Sequence, residues 1–411
     1  MTSLRFLNGL TTIGGNIVEF TQGSSRVIMD FGVAADLTGE TTESAIAAGK
    51  LPNLPDLLGD APDAFAHEAI FISHLHIDHM GALQYLQRAI PIYLSEPSYR
   101  LYQTLIRLGI EPPVANLHPL AFETPLAIGS FTVTGFASDH DEPGAMALLV
   151  DDGEHRYAHS GDVRLNGPHR TRVEHWAQVM HAAKVNVLML EGTTFSFDTD
   201  APVEDAAHPS APLTEASLAE ALRAHLQAAQ LLVVINPYQR NYERLATIQA
   251  VAAECGRTMV WEPQDAEILH TMTGVTPAAI IGDTVSLAEV ATHPAAYLME
   301  TTFAHRQWLA QLPVSEYLHS NGEPLGDYDP RFAELQDWLA AQGIPLTFLS
   351  CTGHATKADL ITLANWIAPQ TIVPWHSFKP EAEAAALDAA TNAAIVLPER
   401  DLYYDFFPES E

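Results

Sequence analysis

Three imidazoles and one carboxylate crowd into a single short run, Ser73-His74-Leu75-His76-Ile77-Asp78-His79. Imidazole nitrogen is a borderline donor and carboxylate oxygen a hard one, so His74, His76, Asp78 and His79 suit Zn²⁺ or Mn²⁺. The run follows directly on the apolar stretch Ala69–Ile72, which reads as a strand, and precedes a helical pattern from His79 to Arg88. In a turn after a strand, His74 and His76 can face one way while Asp78 and His79 face another. One loop can then serve two neighbouring metals. A chance histidine-rich surface loop is the bland alternative, and the strand–turn–helix setting weighs against it.

That run resembles the signature of the metallo-β-lactamase superfamily, and the resemblance continues downstream. Asp30, closing Val27-Ile28-Met29-Asp30, resembles the aspartate that buttresses the metal loop. His140, in Ala137-Ser138-Asp139-His140, stands where the next ligand is expected, and Asp162, in His159-Ser160-Gly161-Asp162, where a carboxylate bridges both metals. The best candidate for the last ligand is His376, in Val373-Pro374-Trp375-His376, far beyond its usual distance from the bridging aspartate. Such a gap implies an inserted domain. The arrangement is similar to the β-CASP nucleases, above all the RNase J group. Glu191, in Leu190-Glu191-Gly192-Thr193-Thr194, fits that group's acidic motif, and His354, in Thr352-Gly353-His354-Ala355, its second histidine motif. The chain departs from RNase J in having Glu191 for the usual Asp, Thr352 for Ser, and Ser377 for the Gly after the last ligand.

The resemblance implies two divalent ions, Zn²⁺ first with Mn²⁺ or Mg²⁺ as alternatives. One would sit on His74, His76, His140 and Asp162, the other on Asp78, His79, Asp162 and His376. A bridging water, ionised near neutral pH, would attack phosphorus in line. Asp78, His354 and Glu191 would form the catalytic set, with His354 touching a phosphate oxygen or protonating the leaving group. Asp30 and Glu191 would hold imidazoles in the correct tautomer. The implied activity is cleavage of RNA phosphodiester bonds, exo- or endonucleolytic, on single strands, with a homodimer as a possible form. Two rivals stand beside it: a two-metal hydrolase of a smaller phosphodiester or ester, and a non-catalytic RNA-processing subunit. The complete set of His and Asp positions argues against the last.

The elements that must position these groups fall into two textures. Up to residue 195, short apolar runs alternate with turn signals, giving strands at Asn16–Phe20, Arg26–Asp30, Ala69–Ser73, Pro91–Leu94, Phe131–Phe136, Ala145–Val150, Arg156–His159 and Val185–Leu190. Helices are expected at Pro97–Leu108 and Thr171–Ala183, and residues 36–66 as a long surface loop. From 196 to 344 longer helix–strand alternation predicts a doubly wound parallel unit, with strands at Leu231–Ile235 and Arg257–Trp261. Residues 345–411 return to the first unit. The expected fold is α/β: a four-layered αββα metallo-β-lactamase domain, in parts 1–195 and 345–411, interrupted by a β-CASP-like domain.

Charge pulls the other way. Twenty Lys and Arg face 51 Asp and Glu, a net −31, so bulk polyanions are repelled. Two divalent ions among these carboxylates would make a local positive well, and screening over ~8 Å at physiological salt would mute the distant acids. Arg240 and Arg244 are candidates to hold RNA backbone, and Ser320, in Ser320-Asn321-Gly322-Glu323-Pro324, to face a terminal phosphate. Arg164, Arg170 and Arg172, with His169 and His175, are read either as a solvated helix start or as a phosphate track. Only Cys255 and Cys351 are present, which excludes a disulfide framework and suggests a reducing, cytoplasmic setting. No apolar run reaches the ~20 residues that span a bilayer, and no signal-peptide pattern is read.

Overall fold

The computed structural model describes residues 1–34, 37, 39–198, 214–326 and 329–407. Two seven-stranded sheets carry the first and last parts of the chain. In the first, β1 (Ser3–Asn8), β2 (Ile17–Gln22), β3 (Ser25–Met29), β4 (His67–Ile72), β5 (Ile92–Ser95) and β6 (Leu117–Leu120) lie in sequence order, with β20 (Tyr403–Tyr404) on the β1 edge. In the second, β7 (Leu126–Ile128), β8 (Phe131–Ala137), β9 (Met146–Asp151), β10 (Arg156–His159) and β11 (Val187–Glu191) run on to β18 (Thr371–Trp375) and β19 (Ala394–Ile395).

Alternation along the strands decides how these sheets stack. On β2, Val18 and Phe20 join Phe6, Met29 and Phe71 in a core shared with Val133, Leu148, Tyr157, Met189 and Val373 of the second sheet. The outward set of the first sheet, Ile28, Ile70, Ile72 and Leu94, packs under Leu101, Tyr102 and Leu105 of the helix Glu96–Arg107. Ala158, Leu188 and Ile372 of the second sheet pack under the helices Arg170–Ala182 and Lys357–Ile367. The result is the four-layered αββα sandwich of the metallo-β-lactamase fold.

A third sheet interrupts this sandwich in sequence. It is parallel throughout, in the order β14 (Ala279–Ile280), β13 (Thr258–Trp261), β15 (Tyr297–Glu300), β12 (Leu232–Pro237), β16 (Val314–Ser320), β17 (Leu346–Phe348). Val233 and Ile235 of β12 face the helices Glu215–Ala228 and Tyr242–Glu254, while Leu232 and Val234 face the opposite core with Leu335 and Leu339. Buried on both faces, β12 reads as an unbroken apolar run.

Three expectations change. Residues 36–66 are not simply a surface loop: they carry the helices Thr42–Ala47 and Pro55–Leu58, with Leu51, Leu54, Leu57 and Leu58 buried. The helix expected over His79–Arg88 is a short turn, Ile77–Met80, followed by a 3₁₀ segment Gly81–Tyr85. Ser320 closes β16 rather than opening a turn, and the turn begins at Asn321, whose φ is 60°.

Glu262, Asp265 and Glu300 lie buried at the carboxyl ends of β13 and β15. Burial and the neighbouring carboxylates raise Asp265 and Glu300, Glu300 well above the usual range, so the pair retains a proton. The folded state then holds a proton that the unfolded chain has released above about pH 4.5. Stability contributed by this pair is therefore full at low pH and is lost as pH rises through the raised range. Replacing Glu300 by Gln should flatten the fall in melting temperature as pH rises from about 4.5 into the raised range; parallel curves for wild type and variant would refute the shared proton.

Candidate metal centre

The strands of both sandwich sheets deliver their functional residues at one edge. Asp30 follows β3, residues 73–79 follow β4, His140 follows β8, Asp162 follows β10, Glu191 ends β11, and His376 follows β18. Three of these exits turn through the left-handed region, at Asp30 (φ 58°), Gly161 (φ 55°) and His376 (φ 55°). For the two non-glycine residues that conformation costs on the order of 1–3 kcal/mol, sustained only where surrounding bonds fix it. At Asp30 the carboxylate accepts from the Ser73 amide (2.7 Å), Ser73 Oγ (2.9 Å) and His79 Nδ1 (2.8 Å). His376 is held by its own amide donating to the Gly9 carbonyl (2.7 Å), with Thr193 Oγ1 2.7 Å from Nδ1.

The metal loop is stapled along its backbone. Asn16, Phe31 and Val33 donate their amides to the carbonyls of Asp78, His79 and Ile77. Gly32 is required beside it, because a Cβ there would fall 1.7 Å from the Asp78 carbonyl oxygen. At Leu75, between the first two histidines, the amide donates to Glu142 (2.8 Å) and the carbonyl accepts from the Arg240 guanidinium.

These constraints gather two sets of donors. The set His74, His76, His140 and Asp162, and the set Asp78, His79, Asp162 and His376, each offer ligand atoms within 4.8 Å of one another. Asp162 divides its oxygens between them: Oδ2 lies 3.6 Å from His74 Nε2 and 3.8 Å from His140 Nε2, while Oδ1 lies 3.3 Å from His79 Nε2. His376 Nε2 stands 2.9 Å from Asp78 Oδ2, and His140 Nε2 3.2 Å from His76 Nδ1. Bonds of about 2.0–2.1 Å to a tetrahedral ion put neighbouring donors roughly 3.3 Å apart, close to these spacings. His74 Nε2 and Asp162 Oδ1 are buried without a hydrogen-bond partner, as donors reserved for a cation would be. The residues fit two divalent ions. Asn16 Nδ2 also approaches His79 Nε2 at 2.9 Å and must turn away when that nitrogen binds metal.

Protonation follows position. Burial first, then the neighbouring imidazoles, lower His74 well below the usual histidine range, and burial takes His140 to about 4, so both are neutral donors. At His79 burial is outweighed by the carboxylates of Asp162, Asp78 and Asp30, which raise it well above that range. A bound cation would displace that proton. His354 donates from Nδ1 to Glu191 Oε1 (3.1 Å); against the pull of burial, Glu191 and Asp162 push it up to about 10.

Several residues enter that sequence reasoning missed. Asp141 Oδ1 lies 3.2 Å from His76 Nε2 and 3.1 Å from His140 Nε2, and Glu142 holds the Leu75 amide. Their position directly after His140 was the available signal. His159, fully buried, accepts from the Gly161 amide and points Nε2 toward Asp30 Oδ2 at 3.8 Å.

The basic side chains need correction. Arg244 is fully buried, paired with Glu215 and bonded to the Ser320 carbonyl and Asn321, so it does not face RNA. Arg240 is engaged by Glu111 and the Leu75 carbonyl, a consequence of fold-distant partners that local sequence does not reveal. Ser320 is fully buried, with an unpartnered Oγ. Arg164 is buried on Asp139 and Glu215, whereas Arg170 pairs with Glu174 and His169 with Glu243 at the surface, as a solvated helix start would. Arg240→Met should weaken metal binding by about tenfold, as loss of an outer support typically does. Chelator competition checks this, and unchanged affinity would show that the Leu75 carbonyl needs no partner.

A β-lactamase superfamily domain matches residues 51–235, and the αββα layers and this donor set resemble those of the metallo-β-lactamase superfamily. The chain is similar to ribonuclease J. It is 22% identical to ribonuclease J of Thermus thermophilus over 90% of this chain and 67% of that protein. It is also 22% identical to ribonuclease J of Mycolicibacterium smegmatis over 97% of this chain and 74% of that one. A crystal structure of a protein of unknown function from Enterococcus faecalis V583 matches with a TM-score of 0.85 at 27% identity, covering 98% of this chain and 99% of that one. Among the described residues no helix is long and apolar enough to cross a membrane.

Proposed function

We propose that this chain is a two-metal phosphodiesterase that cleaves RNA, with a β-CASP-like segment from 196 to 344 inserted in the metallo-β-lactamase domain. The observation that carries the reading is Asp162, whose two oxygens face two separate donor sets. His74, His76 and His140 would hold one ion and Asp78, His79 and His376 the other, both touching Asp162, with Zn²⁺ or Mn²⁺ favoured by the nitrogen-rich donors. When bound, such ions supply Lewis acidity to the phosphodiester and lower the pKa of water.

The side chains supply orientation and protons. Asp30 fixes His79 through Nδ1 and leaves Nε2 for the ion, and Thr193 does the same service at His376 Nδ1. Glu191, itself anchored by the Thr193 amide (2.9 Å), holds His354 through Nδ1 and leaves Nε2 as its working nitrogen. His354 is about one-fifth exposed at the mouth and raised in pKa, so it carries a proton to the departing oxygen. The similarity to ribonuclease J over most of the chain supports RNA as the substrate.

Metal analysis of purified protein, combined with incubation on 5′-monophosphorylated RNA, 5′-triphosphorylated RNA and single-stranded DNA, tests the reading. Metal-dependent cleavage of RNA is the expected result. Inertness toward all three after reconstitution, with turnover of a small phosphodiester or ester, would replace RNA with the smaller substrate.

A further inference from the structure

We infer that the site is built for short oligoribonucleotides rather than for long RNA, a narrowing that rests on the phosphodiesterase reading above. A long RNA brings a negative charge with every nucleotide, and proteins that hold it do so through cationic side chains that replace its counterions. All twenty Lys and Arg of this chain fall within the described residues, so the positions of its cations are known. Three of those near the donor cluster are turned inward. Arg240 is bound to Glu111 and the Leu75 carbonyl, Arg244 to Glu215, and Arg164 to Asp139 and Glu215. These pairs are buried or half-buried, so an incoming phosphate would have to break them and leave carboxylates unpaired.

The surroundings add negative charge. Asp141 lies 3.2 Å from His76 and 3.1 Å from His140, and the ring of Tyr238 packs on His76 with centroids 5.5 Å apart. Two lysines stand close in sequence to the mouth, three residues beyond His354 and His376 respectively. Lys357 donates to the Phe197 carbonyl (2.8 Å), and Lys379 pairs with Asp198, which is 96% exposed. The second pair is a surface contact that a phosphate could replace at little cost. One phosphodiester at the metals and one phosphate at Lys379 make about two anionic contacts, enough for roughly three nucleotides. Next to the donors in sequence stand two exposed apolar side chains. Ile77, between His76 and Asp78, is 60% exposed, and Phe378, two residues after His376, is 55% exposed. Bases can rest on such side chains without regard to sequence.

The test compares 5′-monophosphorylated RNAs of two, five, ten and thirty nucleotides. Turnover is measured with the metal-loaded protein, and binding with the metal-loaded His354→Ala variant. From five to thirty nucleotides, kcat/KM and affinity per binding register should change by less than about threefold, and log K should fall with log[salt] with a slope no steeper than about −2, at ~0.7 per contact. A thirty-mer bound more than tenfold tighter per register, or a slope steeper than about −5, would overturn the inference while leaving the ribonuclease reading intact. If RNA of every length is inert while bis(p-nitrophenyl) phosphate is hydrolysed, the ribonuclease reading itself falls, and this inference with it.

Discussion

His354→Ala should keep both metals and lose about 10²- to 10⁴-fold in turnover, the range expected when a positioned proton donor is removed. The ring makes one side-chain hydrogen bond, from Nδ1 to Glu191 at 3.1 Å, and otherwise lies beside the His140 and His376 rings, with centroids 5.2 and 6.0 Å away. Removing it leaves Glu191 with the Thr193 and Val163 amides at 2.9 and 3.3 Å, so the buried carboxylate is not stranded. The expected fall in melting temperature is accordingly small. Were His354 a packing residue only, the order would invert, with lower stability and specific activity almost intact. Metal content, melting temperature and kcat measured on one preparation separate the two, and unchanged kcat with intact metals would remove His354 from the site.

Asp162→Ala should release both ions, because one carboxylate faces both donor sets, whereas His376→Ala should weaken mainly the ion on Asp78 and His79. Elemental analysis after reconstitution with Zn²⁺ or Mn²⁺ gives the answer directly. Two ions in the wild type, none in Asp162→Ala and about one in His376→Ala is the expected pattern. One ion in the fully reconstituted wild type, or one retained without Asp162, would refute a bridged pair.

The layered fold was legible because its cause is local. Val18 and Phe20 face one core and Ile17 the other, a period of two that survives in the sequence wherever a strand has two different faces. The donors were legible for a related reason: His74 to His79 sit in one loop, and His140, Asp162 and His376 each follow directly on a strand end. What the sequence concealed was pairing at a distance. Arg240 and Arg244 look like free cations until Glu111 and Glu215 are brought beside them. Glu142 gives no hint that its partner is the Leu75 amide. β16 was missed because only its second half, Tyr317–Ser320, is fully buried, and polar Ser315 and Glu316 interrupt its first half.

The clamp on Leu75 ties the two lobes together through a single residue. Its amide is held by Glu142 from the sandwich, and its carbonyl by Arg240, which follows β12 of the third sheet. Separating the lobes therefore strips a partner from the residue that joins the first two histidines. Removing Arg240 frees the Leu75 carbonyl and leaves its amide on Glu142, so the first two histidines keep one of their two backbone anchors as the lobes part.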